Sequence, residues 1–143
     1  MLISLLTYLS LALTPQPGSE CPPEAANFDY QSAIISADAV FKGMPVSGQS
    51  AIGMDEEHRR IIESSHTFQV DEYFKDTTGR NENRVSVSQR TIGSDTCHNG
   101  PRSGETSLIF ARGSTFFMMD SCNYGFPWEC VPESARAILS GSK

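Results

Sequence analysis

What the chain lacks narrows its class before any motif is read. No run of about twenty apolar residues occurs, so no helix long enough to span a bilayer is expected. Basic residues are few: 11 Lys and Arg stand against 17 Asp and Glu, a net charge of −6. A surface that grips phosphates is built from Lys and Arg clusters, so nucleic acid is a disfavoured partner. Catalytic signatures are missing too. There is no G-x-S-x-G nucleophile elbow, no G-x-G-x-x-G phosphate loop, no H-E-x-x-H zinc motif and no EF-hand loop. The four cysteines include no C-x-x-C pair, and the Cys97-His98 dipeptide stands alone, which counts against a metal site. Nothing in the pattern argues for an enzyme or a cofactor. His58 and His66 read as surface residues, and Asp55-Glu56-Glu57 as part of a solvated turn.

What is present suits one exported domain. A length of 143 residues, with 38% apolar and 20% charged, is ordinary for a single globular unit. Leu2 to Leu13 is apolar apart from Ser4, Thr7 and Ser10. A dozen such residues match the core of a secretory signal peptide, and Pro15, Pro17 and Gly18 break any helix after them. The expected division is a signal peptide over 1–18 and one domain over 19–143. The expected location is secreted or periplasmic, with no membrane association after the signal is removed. Cys21, Cys97, Cys122 and Cys130 are an even set, as two disulfides require, and four cysteines allow three pairings.

The pattern of the remaining chain is mostly that of strands. Pro22 and Pro23 predict an extended start. Phe28 to Ala37 places Tyr30, Ala33, Ile34 and Ala37 on one helical face, with Asn27 as the better cap and Asp29 the other candidate. Ala39–Met44 reads as a first strand, 45–54 as a loop with two glycines, and 55–60 as a charged turn. A second strand is expected from about Ile61 to Phe74, where Phe68 and Val70 alternate with polar residues. Val85 and Val87 mark a third. Ser107–Ala111 and Thr115–Met119, apolar on both faces, read as central strands joined in a hairpin across Arg112-Gly113-Ser114. Pro132–Leu139 reads as a closing helix with proline at its first position. Five strands and two short flanking helices suit a mainly β fold, a five-stranded OB-like closed barrel, with a two-layer sandwich as the rival.

Several segments share a resemblance. Cys21-Pro22-Pro23 precedes the helix and Ser36-Ala37-Asp38-Ala39-Val40-Phe41-Lys42-Gly43 follows it. Then come Phe68-Gln69-Val70-Asp71-Glu72-Tyr73-Phe74-Lys75, Asp95-Thr96-Cys97, Leu108-Ile109-Phe110-Ala111, Ser121-Cys122 and Phe126-Pro127-Trp128. In order and spacing these resemble the netrin-like domain of the tissue inhibitors of metalloproteinases, especially its compact bacterial relatives. The resemblance implies the barrel just described and a role in binding an extracellular protein. In those inhibitors the mature chain starts with Cys-x-Cys, and the first residue's amine and carbonyl chelate the protease's zinc. A cysteine-bearing loop lies beside that terminus.

Carried onto this chain, the resemblance implies that Ser19, Glu20, Cys21 and Pro22, with Ser94, Asp95, Thr96 and Cys97 of the loop, form the protease-contacting surface. Ser19 stands where the family has its first cysteine, so the terminus loses an anchor. Ordering a free terminus costs about 1–2 kcal/mol per residue. Glu20 stands where the family directs a side chain into the protease's specificity pocket, and a carboxylate is costly to desolvate there. The expected function is therefore a secreted protein-binding module, with inhibition of zinc metalloproteases through the mature N-terminus as the alternative. The expected partners are a zinc metalloprotease or another extracellular protein. The resemblance also implies a Cys21–Cys122 disulfide. With the family's first cysteine missing, Cys97 is assigned to Cys130. The alternative, Cys122–Cys130 with Cys21–Cys97, stays open.

Overall fold

The computed structural model describes residues 21–92, 104–113, 117–119 and 125–141. Within them the chain is mainly β. Its elements are α1 (Glu24–Asn27), α2 (Tyr30–Ser36), β1 (Ala39–Met54), β2 (Arg60–Asp76), β3 (Arg84–Ile92), β4 (Ser107–Ala111), β5 (Phe117–Met119) and β6 (Gly125–Pro127). A 3-10 turn (Trp128–Cys130) and α3 (Glu133–Gly141) complete the order.

The helices are short and depend on their ends. The Asp29 carboxylate accepts hydrogen bonds from Ser32 N–H at 3.1 Å and Ser32 Oγ at 2.7 Å, and so caps α2. Those bonds from Ser32 hold the Asp29 carboxyl below its usual pKa. Asn27 is not the cap, because it closes α1 instead. At the other end of α2, Lys75 Nζ donates to the carbonyls of Ile34 (2.8 Å) and Ile35 (3.1 Å). It thereby satisfies acceptors that a seven-residue helix leaves open. The extended start predicted at Pro22-Pro23 is replaced by a helical one: Pro23 has φ −56° and ψ −30°, and α1 begins at the next residue. The fixed φ of proline suits that first turn.

Antiparallel ladders join β3, β2, β1, β4 and β6, and β5 adds to β3 in parallel, giving the order β5-β3-β2-β1-β4-β6. The closed five-stranded barrel expected from the sequence does not form. Among the described residues no ladder links β5 to β6, or β5 to β4, although β4 and β5 come within 8 Å of each other. The hairpin expected across Arg112-Gly113-Ser114 is therefore absent as a ladder. Strand lengths explain the open form. Closure needs strands matched in length and stagger, but β1 and β2 have 16 and 17 residues and β4 has five. The ladder to β4 covers only Ala39–Gly43, and beyond it β1 and β2 run on together.

The sheet is buried on both faces near β4. Val40, Leu108 and Phe110 pack with Tyr30, Ile34, Phe74, Phe126 and Leu139 on the helix side. Ala39, Phe41, Ile109 and Ala111 pack with Phe68, Val85 and Val87 on the other. All five residues of β4 are buried, as expected of a central strand. Gly125 lets β6 reach it. Its φ is +155°, and a Cβ there would stand 1.7 Å from the Leu108 carbonyl oxygen.

Candidate functional site: a tied start and a projecting arm

Of the residues expected to contact a protease, Cys21 and Pro22 are described. Ser19, Glu20, Ser94, Asp95, Thr96 and Cys97 lie outside the described residues, as does Cys122. Cys21 is bonded to Cys130, with Cα atoms 5.3 Å apart across 109 residues of sequence. This is neither pairing expected above: it takes Cys21 from Cys122 and Cys130 from Cys97. The reason lies in β6 and the 3-10 turn, each only three residues long and too short to leave a periodic pattern in the sequence. They carry Cys130 back over the helix side of the sheet, into the cluster of Ala25 and Tyr30 just after Cys21. Tyr30 closes the same corner. Its hydroxyl donates to the Ala25 carbonyl at 2.7 Å, and burial pushes its pKa up to about 12.

Next to the bridge, Trp128 is clamped. Its ring stacks on Phe74 at 5.7 Å with planes 12° apart. Lys42 Nζ lies 4.8 Å and Arg136 Cζ 4.7 Å from its centroid. Arg136 also donates to the carbonyls of Trp128 (2.8 Å) and Val131 (3.1 Å). These contacts hold the turn that bears Cys130, so the aromatic and its cations are framework.

The second feature is the arm formed where β1 and β2 pass β4. Residues 45–54, read as a loop from Pro45, Gly48 and Gly53, are strand. They pair with β2 down to Met54 opposite Arg60, and β3 joins the other side of β2 from Gln69–Arg84 to Ile61–Ile92. The central strand of the arm, β2, has cross-strand partners on both sides from Ser64 to Thr67. Ser50 and Ser64 hydroxyls meet at 3.2 Å and Thr67 and Ser86 at 3.0 Å, and Arg90 pairs with Glu63 at 3.0 Å. A shallow cavity of about 560 Å³ opens on the arm, lined chiefly by Gln49, Ser50, Glu63, Ser64, Ser88 and Arg90. Its donors and acceptors suit a polar contact surface.

The charged turn at the end of the arm forms as expected, and Asp55 organises it. Its carboxylate accepts from the backbone N–H of Arg59 (2.8 Å) and Glu57 (2.9 Å) and from Arg59 Nε (2.7 Å). The Arg59 backbone N–H above all holds the Asp55 carboxyl below the usual range. His58 is exposed with φ +62°, a left-handed turn position. Around this turn large apolar side chains stand in solvent: Ile52 is 67% and Met54 71% exposed. His66, expected at the surface, is instead half-buried near Phe68, and burial lowers its pKa.

Among the described residues, no group of three His, Cys, Asp or Glu side chains is placed to hold a metal ion. No described helix is long and apolar enough to cross a membrane. No family model matches the chain, and no curated protein matches it.

Proposed function

We propose that the chain is an exported protein-binding module of the netrin-like kind, with residues 19–143 left after removal of 1–18. The observation that carries this reading is the arm. Ile52 and Met54 project from one face of a strand at the end furthest from both cores, where folding gains little from their burial. Clustered apolar side chains in solvent mark interaction sites more often than stability sites. The Cys21–Cys130 bridge supports export, because disulfides persist in oxidising compartments.

Inhibition of a zinc metalloprotease through the terminus is the second reading, and one observation favours it. The bridge fixes Cys21 to the body, so the position after Ser19 and Glu20 is anchored without the family's first cysteine. The two readings separate by experiment. A photo-crosslinking residue at Met54 is expected to trap a protein in the extracytoplasmic fraction, while one at the equally exposed Ile35 of α2 traps none. Equal yields at both positions would refute the arm as the contact. Tight inhibition of a zinc protease that vanishes when the mature amine is acetylated would establish the second reading instead.

A further inference from the structure

We propose that the free edge of β1, from Ser47 to Met54, pairs antiparallel with the same strand of a second copy of this chain. The inference rests on the arm being a contact surface and names its partner. Past Gly43, β1 has β2 on one side and no described strand on the other. An edge of this kind presents a row of unpaired backbone donors and acceptors. Proteins usually blunt such edges with lysine, proline, a bulge or a very short strand. Here Pro45 and the adjacent bulge sit where the ladder to β4 has just ended. Beyond them, the eight residues Ser47–Met54 (SGQSAIGM) contain no charge and no proline, and all are exposed.

The absence of charge selects the occupant. The chain carries −6, so two copies repel over most of their surfaces. On this edge they meet without like charges. A two-fold axis at Ser50 makes the strand complementary to itself, as an isologous interface requires. Ser47 then opposes Gly53 of the second copy, and Gly48 opposes Ile52, which fills the space a glycine leaves. The two sheets become one continuous sheet, and the exposed Ile52 and Met54 gain neighbours. Eight residues extend for about 27 Å. That is a small interface, below about 1,200 Å², of the size found in transient, concentration-dependent contacts.

Sedimentation velocity of the full exported chain, from about 5 to 500 µM, reads the mass directly. The expected result is a concentration-dependent monomer–dimer equilibrium. Ser50→Lys places two ammonium groups at the axis and is expected to weaken the dimer at least about tenfold. Ser50 is exposed and gives up only its exposed hydroxyl contact with Ser64, so the thermal midpoint should move little. Ser50→Cys provides the positional readout: opposed Cβ atoms lie about 4.5–5.5 Å apart across a strand pair, so mild oxidation should link two chains through this position. A wild-type chain that stays monomeric throughout overturns the proposal, as does a dimer that Ser50→Lys leaves intact. A monomer that still crosslinks a different protein through Met54 overturns self-pairing and leaves the protein-binding reading standing.

Discussion

The first five residues of β1 and its last nine belong to one strand yet live in different environments. Ala39–Gly43 lies between β2 and β4, and Ala39, Val40 and Phe41 are fully buried, divided between two cores. Val46–Met54 lies against β2 alone, and every residue in it is exposed. The difference shows that strand formation here does not depend on burial. A ladder can continue because its partner continues, even through glycines and serines of weak β preference. The two apolar clusters lie in the body, and the β1 edge of the arm stands outside them.

The sharpest test of the body is Gly125→Ala. A methyl group there would stand 1.7 Å from the Leu108 oxygen, in a strand that cannot shift without leaving its ladder, and at φ +155°. We expect a loss of about 4 kcal/mol or failure to fold, at the upper end for single substitutions. A urea midpoint close to wild type would mean that β6 does not pack on β4 as described.

The next pair sets the two regions directly against each other. Phe41→Ala removes a fully buried ring that meets Phe68 edge-on at 5.5 Å, and should cost about 3–5 kcal/mol. Ile52→Ala, in the same strand, should stay within about 0.5 kcal/mol. Comparable losses from chemical denaturation would show that the arm is part of the cooperative core, and the comparison would fall.

The Cys21–Cys130 bridge ties the start of the body to its end. Replacing both cysteines by serine should cost about 2–5 kcal/mol, since the closed loop is long. Non-reducing peptide mapping should recover Cys21 linked to Cys130. Recovery of Cys21 linked to Cys122 would restore the pairing implied by the family resemblance.

These contrasts also mark what was legible in the sequence. The β4 segment SLIFA was readable as a continuous apolar run, the face of Tyr30, Ala33, Ile34 and Ala37 by its helical spacing, and the closing helix by the proline before it. The arm was not, because exposure removes such patterns: VSGQSAIGM carries no hydrophobic alternation, and its glycines and the preceding proline are turn signals by composition. Barrel closure failed as an expectation for a related reason. Strand number was nearly right, but the mismatch between β1 and β4 follows from how far β1 continues beyond Met44. The disulfide depended on β6, three residues long and held by one glycine, which no periodicity can announce. For the proposed contact surface the composition held one clue, the missing charge between Ser47 and Met54.

The smallest expected effect lies where arm and body meet. His66 sits in β2 opposite Gly48 of β1 and Val87 of β3, beyond the phenylalanines of the second core. Partial burial penalises the imidazolium and lowers its pKa from 6.5. The unfolded chain therefore takes up a proton on this residue before the folded chain does. Its contribution to stability is complete above about pH 6.5 and is lost as pH falls through the lower, folded pKa. The carboxylates of Asp29 and Asp55, held below 3.8, act only in more acidic solution, so the windows do not overlap. His66→Gln keeps a polar side chain of similar reach without the titration. Urea midpoints measured between about pH 7 and 5 should fall for the wild-type chain and flatten for the variant. Parallel slopes would show that this part of β2 is open to water in the folded state, which would extend the arm one step further toward the core.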